Sequence, residues 1–168
     1  MNKSYMNRLL KGTLTIFSLA LLAFSQAPET VNYKCMIQLT NYEGEGAYVV
    51  VSILDGDGTY QETLYVQGDD AEWYRDIEQW WKNLYGVRRP ELDGIVGETV
   101  AGGQRKMTVL KIPADKIDAG YQLRFESAVE DQEYYAQDIQ FPLTTENLKQ
   151  KMEGAGFIRY IRMIPQAQ

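Results

Sequence analysis

YVVVSILDGDGTYQETLYV, residues 48–66, decides the fold. Tyr48 to Leu54 is a near-continuous run rich in β-branched side chains. Such side chains are stiff about χ1 and pack well on a pleated surface, so the run predicts a central strand. Asp55-Gly56-Asp57-Gly58 follows, and Thr59 to Val66 returns to β-forming residues. Two such runs joined by Asp-Gly pairs predict a hairpin, because a tight turn of this kind needs positive φ. The acidic turn also invites a calcium reading. An EF-hand loop requires glycine at its sixth position and a carboxylate at its twelfth. Counted from Asp55, those positions hold Tyr60 and Val66. The stretch is read as a turn, and no metal site is assigned in the chain.

Outward from the hairpin, apolar and polar residues alternate in further segments. Val31 to Thr40 puts Val31, Tyr33, Cys35, Ile37 and Leu39 on one face, a half-buried strand with a buried thiol. Lys106 to Ile112, Tyr121 to Val129, Glu133 to Leu143 and Phe157 to Ile164 read as strands too. In the second of these, Tyr121, Leu123, Phe125, Ser127 and Val129 share a face. Thr145 to Glu153 is polar and is expected to form a short helix capped by Thr144 or Thr145.

Between the hairpin and the fourth strand lies a helical pattern. Asp69 and Glu72 have capping-box spacing, and Asp70 adds negative charge where the helix dipole favours it. Trp73, Ile77, Trp80, Trp81 and Leu84 fall on one face, and Gly86 is placed to close the helix in the left-handed conformation. Burying each large side chain is worth roughly 1.5–3 kcal/mol, enough to fix the helix to a sheet. Adjacent Trp80 and Trp81 cannot both point into one stripe, so one of them is expected to border a cleft. Seven strands and one inserted amphipathic helix predict a mostly β chain, an immunoglobulin-like antiparallel β-sandwich without the paired cysteines of antibody domains.

The first 27 residues stand apart. Lys3, Arg8 and Lys11 precede an apolar run from Thr13 to Phe24, and Ser25-Gln26-Ala27 supplies small residues for a signal peptidase. The run is shorter than the roughly 20 residues of a membrane span. Residues 1–27 are read as a signal peptide, cut after Ala27 or Ser25, leaving 28–168 as one exported domain with no direct membrane insertion. Losing the three cations takes the formal charge from −6 to −9. Such acidity argues against nucleic acid and against anionic membrane surfaces. The single cysteine rules out an internal disulfide, and the absence of histidine rules out Ser-His-Asp and Cys-His catalysis and histidine-based metal or haem sites.

Few residues remain for chemistry. Asp69, Asp70, Glu91 and Asp93 lie close in sequence. Glycoside hydrolysis needs two carboxyls facing across roughly 5–10 Å, and nothing in the spacing demands that; helix capping and solvation account for the acids. Tyr42, Tyr48, Tyr134 and Tyr135 could form a contact patch on a partner-binding module, or could pack on sheet faces.

The segment Asp93-Gly94-Ile95-Val96-Gly97-Glu98-Thr99 reads by itself as a surface loop. The order of elements around it resembles domain-of-unknown-function family 2271, predicted periplasmic proteins. The family's WxxDLxxWW-like helix is matched at Trp73, Asp76, Ile77, Trp80 and Trp81, and its DAVTGATRPPG-like loop at Asp93, Gly97 and Thr99. Its GxYxLxVEAA-like strand is matched at Gly120, Tyr121, Leu123, Glu126 and Ala128. The resemblance covers roughly residues 31 to 164. The family loop is similar to the Asp-x-x-Ser/Thr-Gly-Ala-Thr motif, to whose last threonine a flavin transferase attaches flavin mononucleotide. The resemblance therefore implies a covalent FMN at Thr99, with Asp93 and Gly97 in the loop and Trp80 and Trp81 beside it. It further implies membrane redox or iron-reductase-like partners and a place in extracytoplasmic electron transfer or iron uptake. Two departures weigh against attachment. Val96 stands where Ser or Thr is expected, and Glu98 replaces a small residue, setting a negative charge beside the oxygen that would receive a phosphate. The expectation is an exported accessory protein, more a binding or electron-transfer component than an enzyme, whose attachment loop has changed its use and which carries no cofactor.

Overall fold

A computed structural model describes residues 29–88 and 91–166; the expected signal peptide, residues 1–27, lies outside the described residues. The strands are β1 (Thr30–Leu39), β2 (Tyr48–Leu54), β3 (Tyr60–Gln67), β4 (Val96–Gly97), β5 (Arg105–Pro113), β6 (Gln122–Ala128), β7 (Tyr134–Pro142), β8 (Lys151–Glu153) and β9 (Ile158–Pro165). They form two sheets, one in the order β5-β1-β9-β8 and the other β4-β3-β2-β6-β7. Every pairing is antiparallel except that of the two-residue β4 with β3. The seven strands expected from alternation are all present, and the sandwich stands.

One apolar core lies between the sheets. Cys35, Ile37 and Leu39 of β1 meet Val49, Val51 and Ile53 of β2, with Leu123 and Phe125 from β6 and Leu110 and Ile112 from β5. Burial pushes the Cys35 thiol up to about 12, so it behaves as a small apolar side chain. A second core lies on the other face of the larger sheet. Val50 and Leu54 of β2, Tyr60 and Val66 of β3 and Ala128 of β6 pack there against Tyr74, Ile77, Trp80 and Leu84 of the helical segment. β2 is thus covered on both faces. That is the physical reason Tyr48 to Leu54 reads as a continuous apolar run rather than an alternating one.

The smaller sheet is covered on one face only. In β1 and β9, Lys34 and Arg162 are exposed while their neighbours Cys35 and Ile161 are buried. The consequence is a three-layer molecule: open sheet, second sheet, helical cover.

The expected single helix is replaced by shorter turns. A 3-10 stretch spans Ala71–Asp76, an α-helical turn Glu78–Trp80, a π-helical stretch Trp81–Tyr85 and a last turn Gly86–Arg88. Asp70, not Asp69, is the cap; its side chain accepts from the Glu72 N–H at 2.9 Å. Ile77, at φ −84° and ψ 70°, interrupts the helix. The interruption shifts the phase, so Tyr74 takes the buried position and Trp73 is only half-buried. Gly86 does not close a helix in the left-handed region. It sits at φ −64° and donates its N–H to the Trp81 carbonyl, the five-residue spacing of a π turn.

The Asp55 turn is a hydrogen-bonded hairpin connection. Asp55 Oδ1 accepts from the N–H groups of Asp57 and Thr59 at 3.0 and 2.9 Å, and Gly58 supplies positive φ at 84°. The polar segment after Thr144 forms only a 3-10 turn, Asn147–Lys149, before extending into β8. Buried Leu148 anchors that turn, and Thr144 Oγ1 caps it by accepting from the Asn147 N–H at 3.2 Å.

Candidate functional site

The glycine loop is a strap along β3. Val96 and Gly97 pair with Val66 and Gln67, and Val100 bridges to Ala47. Asp93 is exposed and lines a cleft of about 340 Å³ with Glu62, Thr63, Thr30 and Lys111. Gly97 is backed by Tyr65: a Cβ at Gly97 would stand 2.8 Å from the Tyr65 hydroxyl oxygen. Thr99 is half-buried against Gly46, where an added Cβ would stand 2.5 Å from Thr99 Oγ1. Glu98 is exposed beside it.

The two tryptophans differ sharply. Trp80 is 0% exposed, donates its indole N–H to Thr63 Oγ1 at 2.8 Å and stacks on Tyr85. Trp81 is half-buried and tilted against the same Tyr85, with ring centroids 5.2 Å apart. Of the pair, Trp81 is the one nearer solvent. Trp80 has no free ring face, the close approach at Gly97 is occupied by Tyr65, and the Thr99 side chain is turned onto Gly46. Among these five residues, Asp93 is exposed, Gly97, Thr99 and Trp81 are half-buried, and Trp80 is fully buried.

All four tyrosines are half-buried, and each makes contacts within the molecule. Tyr42 and Tyr135 meet Phe157 edge-on with centroids 5.0 and 5.3 Å away. Tyr48 lies edge-on to Tyr74. Tyr134 turns its hydroxyl inward to Glu126.

That last contact leads to a buried polar cluster on β6. Arg124 and Glu126 of β6 lie on the face opposite Leu123 and Phe125, beneath the helical cover. Glu126 is 0% exposed. Its two carboxylate oxygens accept from the hydroxyls of Tyr60 and Tyr134, and it also accepts from the Trp80 backbone N–H. The Gln79 N–H donates to the Tyr134 hydroxyl at 3.0 Å. Arg124 donates through Nη1 to the Tyr60 hydroxyl and to Gln79 Oε1, both at 3.0 Å, and through Nε to Gln140 Oε1 at 2.6 Å. The free N–H groups of the short helix thus rest on a carboxylate and a hydroxyl supplied by strands β6 and β7.

Burial pushes the Glu126 carboxyl up to about 7, against the opposing pull of Tyr134, Tyr60 and Arg124. Glu126 and Tyr60 in turn raise Tyr134 well above the usual phenol range, burial contributing most. A carboxyl poised near neutral pH beside an arginine is the profile of a general acid–base group. The geometry says otherwise. Both carboxylate oxygens are held by internal donors, and the adjoining hollow of about 300 Å³ is lined by Tyr60, Gln79 and Arg124 rather than by Glu126. The cluster fastens the helical cover to the sheet. Sequence reasoning passed over it because Arg124 and Glu126 alternate with Leu123 and Phe125, the pattern of a solvent face. The available signal was Trp-rich amphipathicity upstream, which demands a sheet face to sit on.

Comparison with known proteins adds one positive match. The family model described as "Predicted periplasmic protein (DUF2271)" matches residues 30–160. No curated protein and no solved structure matches the chain.

Proposed function

Because this chain belongs to the DUF2271 family of predicted periplasmic proteins, we propose that it is an exported accessory protein that acts by binding, without catalysis of its own. The observation that carries the reading is the bare outer face of the β5-β1-β9-β8 sheet, in a molecule whose other sheet is covered on both sides. The titratable cluster at Glu126 is committed to internal hydrogen bonds, and the Thr99 hydroxyl lies against Gly46. No helix among the described residues is long and apolar enough to cross a membrane.

The electron-transfer or iron-uptake role implied by the loop has Asp93, Gly97 and Thr99 in its favour and Val96 and Glu98 against it. The intact mass of the exported protein, co-expressed with a flavin transferase, separates the two. The binding reading expects the mass of the processed polypeptide alone. An FMN increment that disappears in Thr99→Ala would replace it with the electron-transfer reading.

A further inference from the structure

The outer face of the four-stranded sheet has a composition unlike the rest of the chain. Register places Met107, Met36, Arg162 and Lys151 in one row across the sheet. The next row is Arg105, Gln38, Tyr160 and Glu153, and the row on the other side is Val109, Lys34 and Ile164. Lys111 extends the pattern at the β5 edge. These positions hold five cations and one carboxylate, in a chain with 17 Lys and Arg against 23 Asp and Glu. The one carboxylate, Glu153, pairs with Lys151 at 2.9 Å, and that ammonium also lies 4.6 Å from the Tyr160 ring centroid. The ion pairs among the described residues are this one, Lys82–Glu78 and Lys116–Glu62, so Lys34, Arg105, Lys111 and Arg162 belong to none.

Apolar side chains sit among these charges. Met107, Val109 and Ile164 are 42%, 45% and 58% exposed, three of the five large apolar residues with exposed side chains among the described residues. Met36, Tyr160, Arg162 and Lys151 border a shallow hollow of about 280 Å³. Methionine, tyrosine and arginine at the centre with lysine at the margin is the composition of a protein-binding surface. Four strands about 4.8 Å apart, with same-face residues about 6.6 Å apart along each, give a platform of about 500 Å². That is below the roughly 800 Å² per partner of a standard interface and suits a reversible contact.

We infer that this face docks a partner protein that presents acidic side chains around an apolar centre. The inference rests on the binding reading above and adds the partner's chemistry, argued from charge complementarity: an acidic molecule that keeps one basic face is built to steer an acidic partner to that face. A flat anionic bilayer is disfavoured, because the remainder of the chain is strongly acidic.

The test uses the full chain in its own compartment, with a photo-crosslinking amino acid replacing Met107. The parent is compared with Lys34→Glu/Arg162→Glu, and with a control of equal charge change on the helical cover, Lys82→Glu/Arg88→Glu. A discrete protein adduct is expected in parent and control, with about a tenfold loss in the face variant, since like charges across an interface cost several kcal/mol and 1.4 kcal/mol is tenfold. Mapping that adduct to an acidic segment of the partner supports the inference. An adduct unchanged by the face reversal overturns the acidic-partner chemistry while leaving the binding reading in place. No adduct in any variant overturns both. Flotation of the purified chain with vesicles of phosphatidylethanolamine and phosphatidylglycerol, lost in the face variant, would replace the protein partner with a lipid surface. A dimer in sedimentation that the face variant dissociates would replace it with a second copy of this chain.

Discussion

Glu126 is the residue on which the helical cover depends, and its titration gives a signed prediction. Its pKa rises from 4.5 to about 7 on folding. The folded state therefore holds a proton that the unfolded chain releases above about 4.5. The stabilisation is complete below that value, falls as pH rises, and is gone above about pH 7. The swing is on the order of 3 kcal/mol. Urea unfolding of wild type and Glu126→Gln at about pH 5 and about pH 7.5 should give a smaller difference in the variant; equal differences would contradict the assignment. A second prediction concerns Gly46. Gly46→Ala forces a methyl into the Thr99 side chain, and overpacking of this kind costs about 1–3 kcal/mol. Removing the obstructing side chain in Gly46→Ala/Thr99→Gly should recover part of that loss, which a double-mutant cycle by chemical denaturation would measure.

The elements show why the strands were legible and the helix was not. Strand position followed from period-two alternation and from the Asp-Gly turn, both of which are local. The near-continuous β-branched run from Tyr48 to Leu54 marks a central strand, and β2 is the middle strand of its five-stranded sheet. The pattern predicts one helical phase from Trp73 to Leu84, but the segment through Asp76 is a 3-10 turn ended by Ile77, and the buried residues are Tyr74, Ile77, Trp80 and Leu84. No local pattern announces that break; it is set by the fit of Tyr74 and Trp80 against each other and against the sheet. The candidate loop residues were found as a motif, yet their separation into an Asp93 cleft, a Tyr65-backed Gly97 and a Gly46-facing Thr99 depends on strand pairing that sequence does not display. Gly86 supplies the prediction at this scale. A Cβ there would lie 2.6 Å from the Trp81 carbonyl oxygen, so Gly86→Ala must open the π turn despite alanine's higher helix propensity. A loss of about 1–2 kcal/mol with a shift in Trp81 fluorescence is expected; a gain in stability would mean the π turn is not held as described.

At the scale of the molecule, charge and cover are distributed unevenly. One side carries the helical layer, where Asp69, Asp70, Glu72 and Glu78 are exposed together with Arg75, Lys82 and Arg88; the other is a bare sheet whose outer face holds five cations and one carboxylate. Of the five exposed large apolar residues, Val87 belongs to the cover, Met107, Val109 and Ile164 to the bare sheet, and Val96 to β4. A photo-crosslinker scanned through positions 87, 99, 107 and 164 of the exported chain reads which side meets another molecule. Adducts to a single species from 107 and 164, with none from 87 or 99, are the outcome this account predicts. Adducts confined to 87 or 99, with the sheet positions silent, would contradict it.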